Sequence, residues 1–255
     1  MNNSSYTKKQ ISTIFGERSI DYLLSENHKS GADLDILSKW AVNSKFVLDI
    51  ATGAGHTANL FLKKPSRIIA TDSSIQMVKT ALEAYPGLEV TVADAESLPF
   101  ANGSFDTISC RIAAHHFPDP LLFLSEVARV SQTNGFFLFE DNVSPSIPHI
   151  SNFINTVEHL RDPTHIKSHT IDQWVSWIEN VGFTIDETFI LKKTILYGPW
   201  TNQSKTSSAN LELLQTLFIN APHDIKTIFD IIIEDGKIKS FSNIKLILKA
   251  TLGNQ

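Results

Sequence analysis

The chain has 255 residues, 42% of them apolar and 19% charged, with a formal net charge of −5. That balance excludes a disordered chain, allows a large buried core and argues against broad nucleic-acid binding. One cysteine excludes an internal disulfide, and Cys110, set in an apolar run, reads as a core residue of a reducing compartment.

Residues 1–10 are polar and are expected to fray. They lack the apolar core of a signal peptide, and no later stretch is long and apolar enough to span a bilayer. A cytoplasmic protein without membrane insertion is expected. Ile11–Leu24 reads as one or two short helices broken at Gly16. In Asp33–Trp40, Leu34, Leu37 and Trp40 share a face at helical period. Residues 1–40 would then either cover the mouth of a site or dock only to close the core.

Phe46–Ala51 is apolar except for Asp49 and suits a buried parallel strand. Gly53 and Gly55 follow, then a helix over Thr57–Leu62. Such a strand–glycine–helix corner aims backbone N–H groups at a small ligand, although a plain tight turn has the same local sequence. Arg67–Thr71 forms the second strand and ends at Asp72, which lies 17 residues after Gly55. An acid there suits ribose hydroxyls; Asp72, Ser73 or Ser74 could also cap the helix Ile75–Tyr85. Pro86-Gly87 stops that helix, and Leu88–Ala93 is a third strand ending at Asp94. Asp49, Asp72 and Asp94 thus sit in or at the carboxyl ends of successive strands, where an adenosine with several donors would satisfy them.

Phe105–Arg111, a helix over Leu121–Val130 and Gly135–Glu140 complete five strands alternating with helices: an α/β, doubly wound, mostly parallel sheet. Asp141–Pro148 reads as a loop, Ser151–Leu160 as a helix and Arg161–His169 as a dense polar run. Thr170 would cap a helix over Ile171–Asn180, ended by Gly182. A sixth strand lies within Thr184–Tyr197, and Ala209–Asn220 and Pro222–Phe229 are helical. Ile231–Ser240 reads as a small hairpin turned at Asp235-Gly236, and Ile244–Thr251 as the last strand. Residues 1–255 make one domain, with 141–183 as a helical insert.

Covalent catalysis has no support, because there is no G-x-S-x-G elbow and Cys110 lies within a strand. The glycine turn lacks the Lys-Ser/Thr of a phosphate loop. His115-His116 does not have metal-ligand spacing, and the pair reads as one packed ring and one exposed; no metal is expected. A dinucleotide oxidoreductase stays possible, since Ala58 stands where its third glycine can be alanine. The acid after the third strand favours a single adenosine.

The stretches V-L-D-I-A-T-G-A-G-H-T-A, D-A-E-S-L-P-F-A-N-G-S-F-D and C-R-I-A-A-H-H-F resemble the class I S-adenosylmethionine-dependent methyltransferases. The likeness is to the small-molecule branch that contains the ubiquinone/menaquinone biosynthesis enzymes. It implies a Rossmann-like, seven-stranded sheet with an antiparallel last strand, and S-adenosyl-L-methionine as cofactor. By this likeness Asp49, Gly53 and Gly55 surround the methionine part, with Ala51 and Thr52 contributing backbone. Asp72 holds the ribose, Ser73 and Met77 line the adenosine, Asp94 accepts from the adenine amino group and the Ala95 backbone meets the ring. Arg111 and Ile112 close the site, and His28 reaches the cofactor's carboxylate from the N-terminal cover.

Methyl transfer by direct displacement needs alignment, exclusion of water and, for some acceptors, a base. His116, His165 and Asp141 are the candidate bases. Arg161 and His165 are candidate contacts to an anionic or phenolic small-molecule acceptor, although Arg161 could instead only link to Glu158 or Asp162. A monomer or homodimer is expected. The remaining alternatives are an NAD-dependent oxidoreductase and a non-enzymatic adenosine-cofactor-binding protein.

Overall fold

In the computed structural model, which describes residues 6–41, 43–64 and 66–253, the five apolar runs of the first half become parallel strands. They are β1 (Phe46–Ile50), β2 (Arg67–Asp72), β3 (Glu89–Val92), β4 (Phe105–Arg111) and β5 (Ser131–Asn142). The second half adds β6 (Phe183–Leu196), β7 (Ile232–Glu234) and β8 (Lys237–Leu252), all pairing antiparallel. The sheet order is β3-β2-β1-β4-β5-β8-β6, with β7 on β8. Strand order therefore reverses between β1 and β4, the place where open α/β sheets leave a crevice beyond their carboxyl ends. The sheet has eight strands where seven were expected, the extra one being the short β7.

Among the described residues four helices precede the sheet: α1 (Lys8–Glu17), α2 (Ser19–Leu24), α3 (Glu26–Lys29) and α4 (Ala32–Trp40). The expected fraying of residues 1–10 lies outside the described residues for 1–5, while Lys8–Gln10 already form α1. The break comes at Arg18, not at Gly16. Gly16 stays within α1, and its missing side chain lets the helix pack closely: a β-carbon on it would stand 2.9 Å from Ser74 Oγ. Helices α5 (Ala58–Leu62), α6 (Ile75–Ala84) and α7 (Pro120–Val130) are crossovers of the parallel half. Ser74, not Asp72 or Ser73, is the α6 N-cap, its Oγ accepting from the Met77 N–H.

Two readings of the second half need correction. Asp141 and Asn142 belong to β5, because they pair with Leu246 and Lys245 of β8. The hairpin arm and the last strand are one continuous β8, since β6 pairs with it from Leu252 to Ser240. The Asp235-Gly236 turn is present with φ of 51° and 69°, the left-handed pair that a two-residue hairpin demands.

The insert carries α8 (Pro148–Arg161) and α9 (Ile171–Asn180), the latter opened by a Thr170–Gln173 capping box. Between β6 and β7 come α10 (Tyr197–Gln203), α11 (Ser208–Ile219) and α12 (His223–Ile228). Apolar residues gather in three cores. One joins β4 and β5 to α7 and α9, and one joins β1 and β2 to α4–α6. The third, built on Trp200, Phe218, Phe229 and Phe241, joins α8 to α10–α12 and the start of β8. This third core gives the roof over the strand ends its own packed interior. Among the described residues no helix is long and apolar enough to cross a membrane.

Candidate active site

A cavity of about 500 Å³ lies beyond the carboxyl ends of β1–β4. Its floor follows the sheet: Ala51–Gly53 after β1, Asp72 and Ser73 at β2, Asp94 and Ala95 after β3, and Arg111 and Ile112 at β4. Met77 enters from α6. Gly53 has φ +55°, and a β-carbon on it would meet no protein atom within 4 Å, so the turn is cut back on its open side. Ala51 (φ 52°) and Ile112 (φ 51°) hold the same left-handed conformation without glycine's freedom. Such backbone persists where the surroundings impose it, commonly at ligand clamps.

The three strand-end acids part company here. Asp72 accepts from the Gly53 N–H (3.0 Å) and the Ser74 N–H (2.8 Å), fixing the glycine turn from the cavity side. Burial pushes its carboxyl up to about 6. Asp94 is 41% exposed at its side chain and accepts from Lys8 Nζ at 2.7 Å, while the same ammonium lies 2.5 Å from Glu96. Asp49 is 1% exposed and lies beneath the turn, outside the cavity wall. It accepts from Ser109 Oγ and Thr52 Oγ1, both at 2.6 Å, yet burial still raises its carboxyl to about 6. Gly55 also stands behind the wall, against Ala81 and Tyr85 of the α6 segment. Asp49 and Gly55 thus hold the shape of the corner from behind.

Arg111 sits on the wall but is spoken for. Its guanidinium donates to Glu140 Oε2 (2.7 Å), to the His28 carbonyl (3.0 Å) and to Asp33. Lys245 donates to Glu140 Oε1 at 2.5 Å. Although burial opposes it, the charges of Arg111 and Lys245 hold the Asp33 carboxyl well below the usual range. His28 lines the cavity, its Nδ1 2.9 Å from Ser25 Oγ. Burial, then the charge of Arg111, keep that ring neutral, its pKa well below the ordinary value.

At the roofed end, His115 and His116 are both buried, 7% and 9% exposed, where one exposed ring was expected. The 3-10 turn Ala114–His116 lies between two partners: Asp141 of β5 on one side and the 162–169 loop on the other. His116 Nδ1 donates to the Thr164 carbonyl at 2.9 Å; burial and the neighbouring His115 push its pKa down to about 3. His115 Nδ1 stands 2.5 Å from Asp141 Oδ1, and its pKa is raised because Asp141 overcomes the cost of burial. His165 lies away from the cavity wall, with Nε2 3.0 Å from Asn155 Oδ1. Burial and the other two rings keep it neutral. The three imidazoles approach within 4.1 to 6.3 Å, centroid to centroid. Even so, among the described residues no set of three His, Cys, Asp or Glu side chains could hold a metal.

Arg161 lines the cavity and lies 5.4 Å over the Trp200 ring. Its Nε donates to the Trp200 carbonyl at 3.1 Å, while Glu158 and Asp162 are only at 3.9 Å. This end also draws on residues that sequence reasoning did not single out, among them Phe15 and Tyr22 of the cover, Lys193 and Ile195 of β6, Trp200 and Lys245. Arg111 of β4 pairs in register with Glu140 of β5, so Asp141 emerges beside the turn that follows Arg111.

The methyltransferase domain family model matches residues 48–139, the segment that builds this floor. A Bacillus subtilis relative, the uncharacterized methyltransferase YcgJ, is 32% identical over 226 residues, covering 86% of this chain and 89% of that one. The chain is an S-adenosylmethionine-dependent methyltransferase. A solved Bacillus halodurans structure superposes on the methyltransferase with a TM-score of 0.84 at 32% identity, covering 88% of this chain and all of that one. The demethylmenaquinone methyltransferase of Thermotoga maritima is 35% identical over 107 residues, 41% of this chain and 47% of that one. The relation to the quinone-pathway enzymes is therefore distant.

Proposed function

We propose that this methyltransferase holds S-adenosyl-L-methionine on the strand-end floor and a small-molecule acceptor under the roof, with direct displacement between them. The observation that supports this most is the continuity of one cavity from Asp72 and Asp94 to Arg161 and Trp200. The floor fits the cofactor: Gly53 leaves open space where any side chain would intrude, and Asp72 offers a carboxylate at the wall. When bound, the cofactor supplies an electrophilic methyl group on a sulfonium.

The chain's own residues do the rest. Asp72 accepts from the ribose hydroxyls, and Ser73 and Met77 pack the nucleoside. Asp94 accepts from the adenine amino group once Lys8 yields one of its oxygens, and the Ala95 backbone meets the ring edge. Ala51, Thr52 and Gly53 face the amino-acid end, with His28 near its carboxylate. Asp49 and Gly55 keep the corner in shape. Phe15, Tyr22, Ile195 and Trp200 exclude water above the acceptor, which strengthens the polar contacts left inside. Arg161 contacts an anionic or electron-rich acceptor.

Titration calorimetry of the purified chain tests the reading, comparing S-adenosylmethionine with NAD. Saturable one-to-one binding of the former is expected. Saturable NAD binding with no response to S-adenosylmethionine would overturn it.

A further inference from the structure

We propose that His115, held by Asp141, is the general base that takes the proton from a hydroxyl acceptor as its oxygen receives the methyl group. This rests on the methyl-transfer reading above. The geometry of three rings carries it. His116 commits Nδ1 to the Thr164 carbonyl, and His165 commits Nε2 to Asn155 away from the cavity. His115 and His116 both line the cavity with an Nε2 that has no hydrogen-bond partner among the described residues, but only His115 rests its Nδ1 on a carboxylate, Asp141, that can stabilise a forming imidazolium.

Asp141 is built to orient that ring. It is fully buried, and its carboxylate accepts three N–H donors: His115 Nδ1–H at 2.5 Å, the His115 main chain at 2.8 Å and the Asn142 main chain at 2.7 Å. With Nδ1 carrying the donated proton, Nε2 keeps its lone pair toward the cavity. The turn is pinned from the other side too, because the His115 carbonyl accepts from the N–H groups of Ile166 and Lys167, both at 3.0 Å. Around the ring stand Asp141 of β5, His116, the loop residues Asp162 and His165, and Glu158 of α8. The carboxylates favour an imidazolium forming there, while His116 and His165 stay neutral and oppose it weakly.

The step balances as follows. The acceptor oxygen attacks the methyl carbon, forming an O–C bond while the C–S bond breaks and its electron pair stays on sulfur. The hydroxyl proton moves to His115 Nε2, and the imidazolium, paired with Asp141, later releases it to solvent. Asp141 is a positioning residue and carries no proton itself. A base of this strength matters for a hydroxyl near pKa 10 and not for one already ionised at neutral pH.

The experiment uses the full chain. Calorimetry with S-adenosylmethionine is run on the wild type and on His115→Gln, followed by transfer of labelled methyl to a series of substituted phenols of graded acidity, with benzylamine beside them. Equal cofactor affinity in both proteins is expected. On weakly acidic phenols kcat of His115→Gln should fall about 10²- to 10⁴-fold with KM little changed. Phenols already ionised should lose far less. Independently of turnover, histidine-ring NMR of the S-adenosylhomocysteine complex should show His115 titrating above His116, and Asp141→Asn should lower the His115 midpoint.

Several results overturn the assignment: a rate loss equal across the series, no loss at all, methylation of benzylamine alone, turnover of no phenol, or a His115 midpoint indifferent to Asp141→Asn. Failure of the wild type to bind S-adenosylmethionine would instead sink the methyl-transfer reading beneath it.

Discussion

Gly53 and Gly55 are two residues apart, yet the structure gives their replacement by alanine opposite outcomes. At Gly53 a β-carbon meets nothing of the protein within 4 Å, and the strain is that of φ +55° alone. An L-residue there costs about 1 to 2 kcal/mol. For a chain of this size that lowers Tm by roughly 2 to 8 °C. The added methyl enters the cavity, so S-adenosylmethionine affinity should fall at least about tenfold, equivalent to about 1.4 kcal/mol. At Gly55, φ is +89° and a β-carbon would stand 3.0 Å from Ala81 Cβ and 3.0 Å from Tyr85 Cδ2. Strain and overpacking together cost about 2 to 5 kcal/mol, a Tm loss of roughly 4 to 20 °C. The Gly55 side faces α6, so the protein that remains folded should bind cofactor within a few-fold of the wild type. Thermal unfolding by circular dichroism without ligand, and calorimetry well below each Tm, separate the two effects. If Gly53→Ala binds as tightly as the wild type, or Gly55→Ala loses affinity without losing Tm, the placement of the cavity at this corner is wrong.

Asp72→Asn should weaken S-adenosylmethionine at least about tenfold by removing a charged acceptor, with calorimetry as the check; unchanged affinity would take Asp72 out of the site. Arg18→Met leaves Asp162, its partner at 3.2 Å, short of a buried counter-charge, which should cost about 3 to 5 kcal/mol in urea unfolding. Adding Asp162→Asn should return much of that loss. Acidification should destabilise the chain through His116: the unfolded ring protonates near 6.5, whereas the folded ring resists until about 3. Its contribution is complete above pH 6.5 and lost as pH falls toward 3, at most about 4 to 5 kcal/mol. His115, raised by Asp141, works in the opposite sense, its contribution present below 6.5 and lost as pH climbs through the raised value. Urea midpoints at pH 7, 5.5 and 4 should therefore fall for the wild type and fall less steeply for His116→Gln; equal slopes would refute the neutral, buried His116.

The parallel half of the fold was readable because each strand is an apolar run closed by an acid or a glycine, so local pattern and tertiary role agree. Asp72 and Asp94 were found by the same logic, as residues at the ends of strands, and both reach the cavity. Asp49 looked like a third member of that series. It stands inside β1, in register with Ser109 of β4, and bonds that neighbour's hydroxyl beneath the turn. Depth along the strand, not sequence type, decides which acid reaches the cavity: Asp49 pairs with Ala70, two residues short of Asp72. The Asp141-Asn142 pair reads as the start of a loop because both residues are polar; only pairing with β8, about a hundred residues on, keeps them in the sheet. Likewise nothing local distinguishes His115 from His116. Asp141 on one side and the Thr164 carbonyl on the other set the two rings' protonation apart.

The same contrast explains why the cavity floor is legible in the sequence and its roofed end is not. The floor comes almost wholly from one contiguous stretch, Ala51 to Pro118, so its spacing is written in the local sequence. The roofed end adds to the His115-His116 turn four distant pieces: α1–α3, the end of α8, the β6–α10 segment and the start of β8. No short motif spans those pieces, and their side chains meet only after the third core has packed α10–α12 against α8. The buried Arg18–Asp162 pair then ties the N-terminal cover to the loop after α8. The roofed end is thus set by packing between segments, while the turn from Asp49 to Gly55 is set by local sequence.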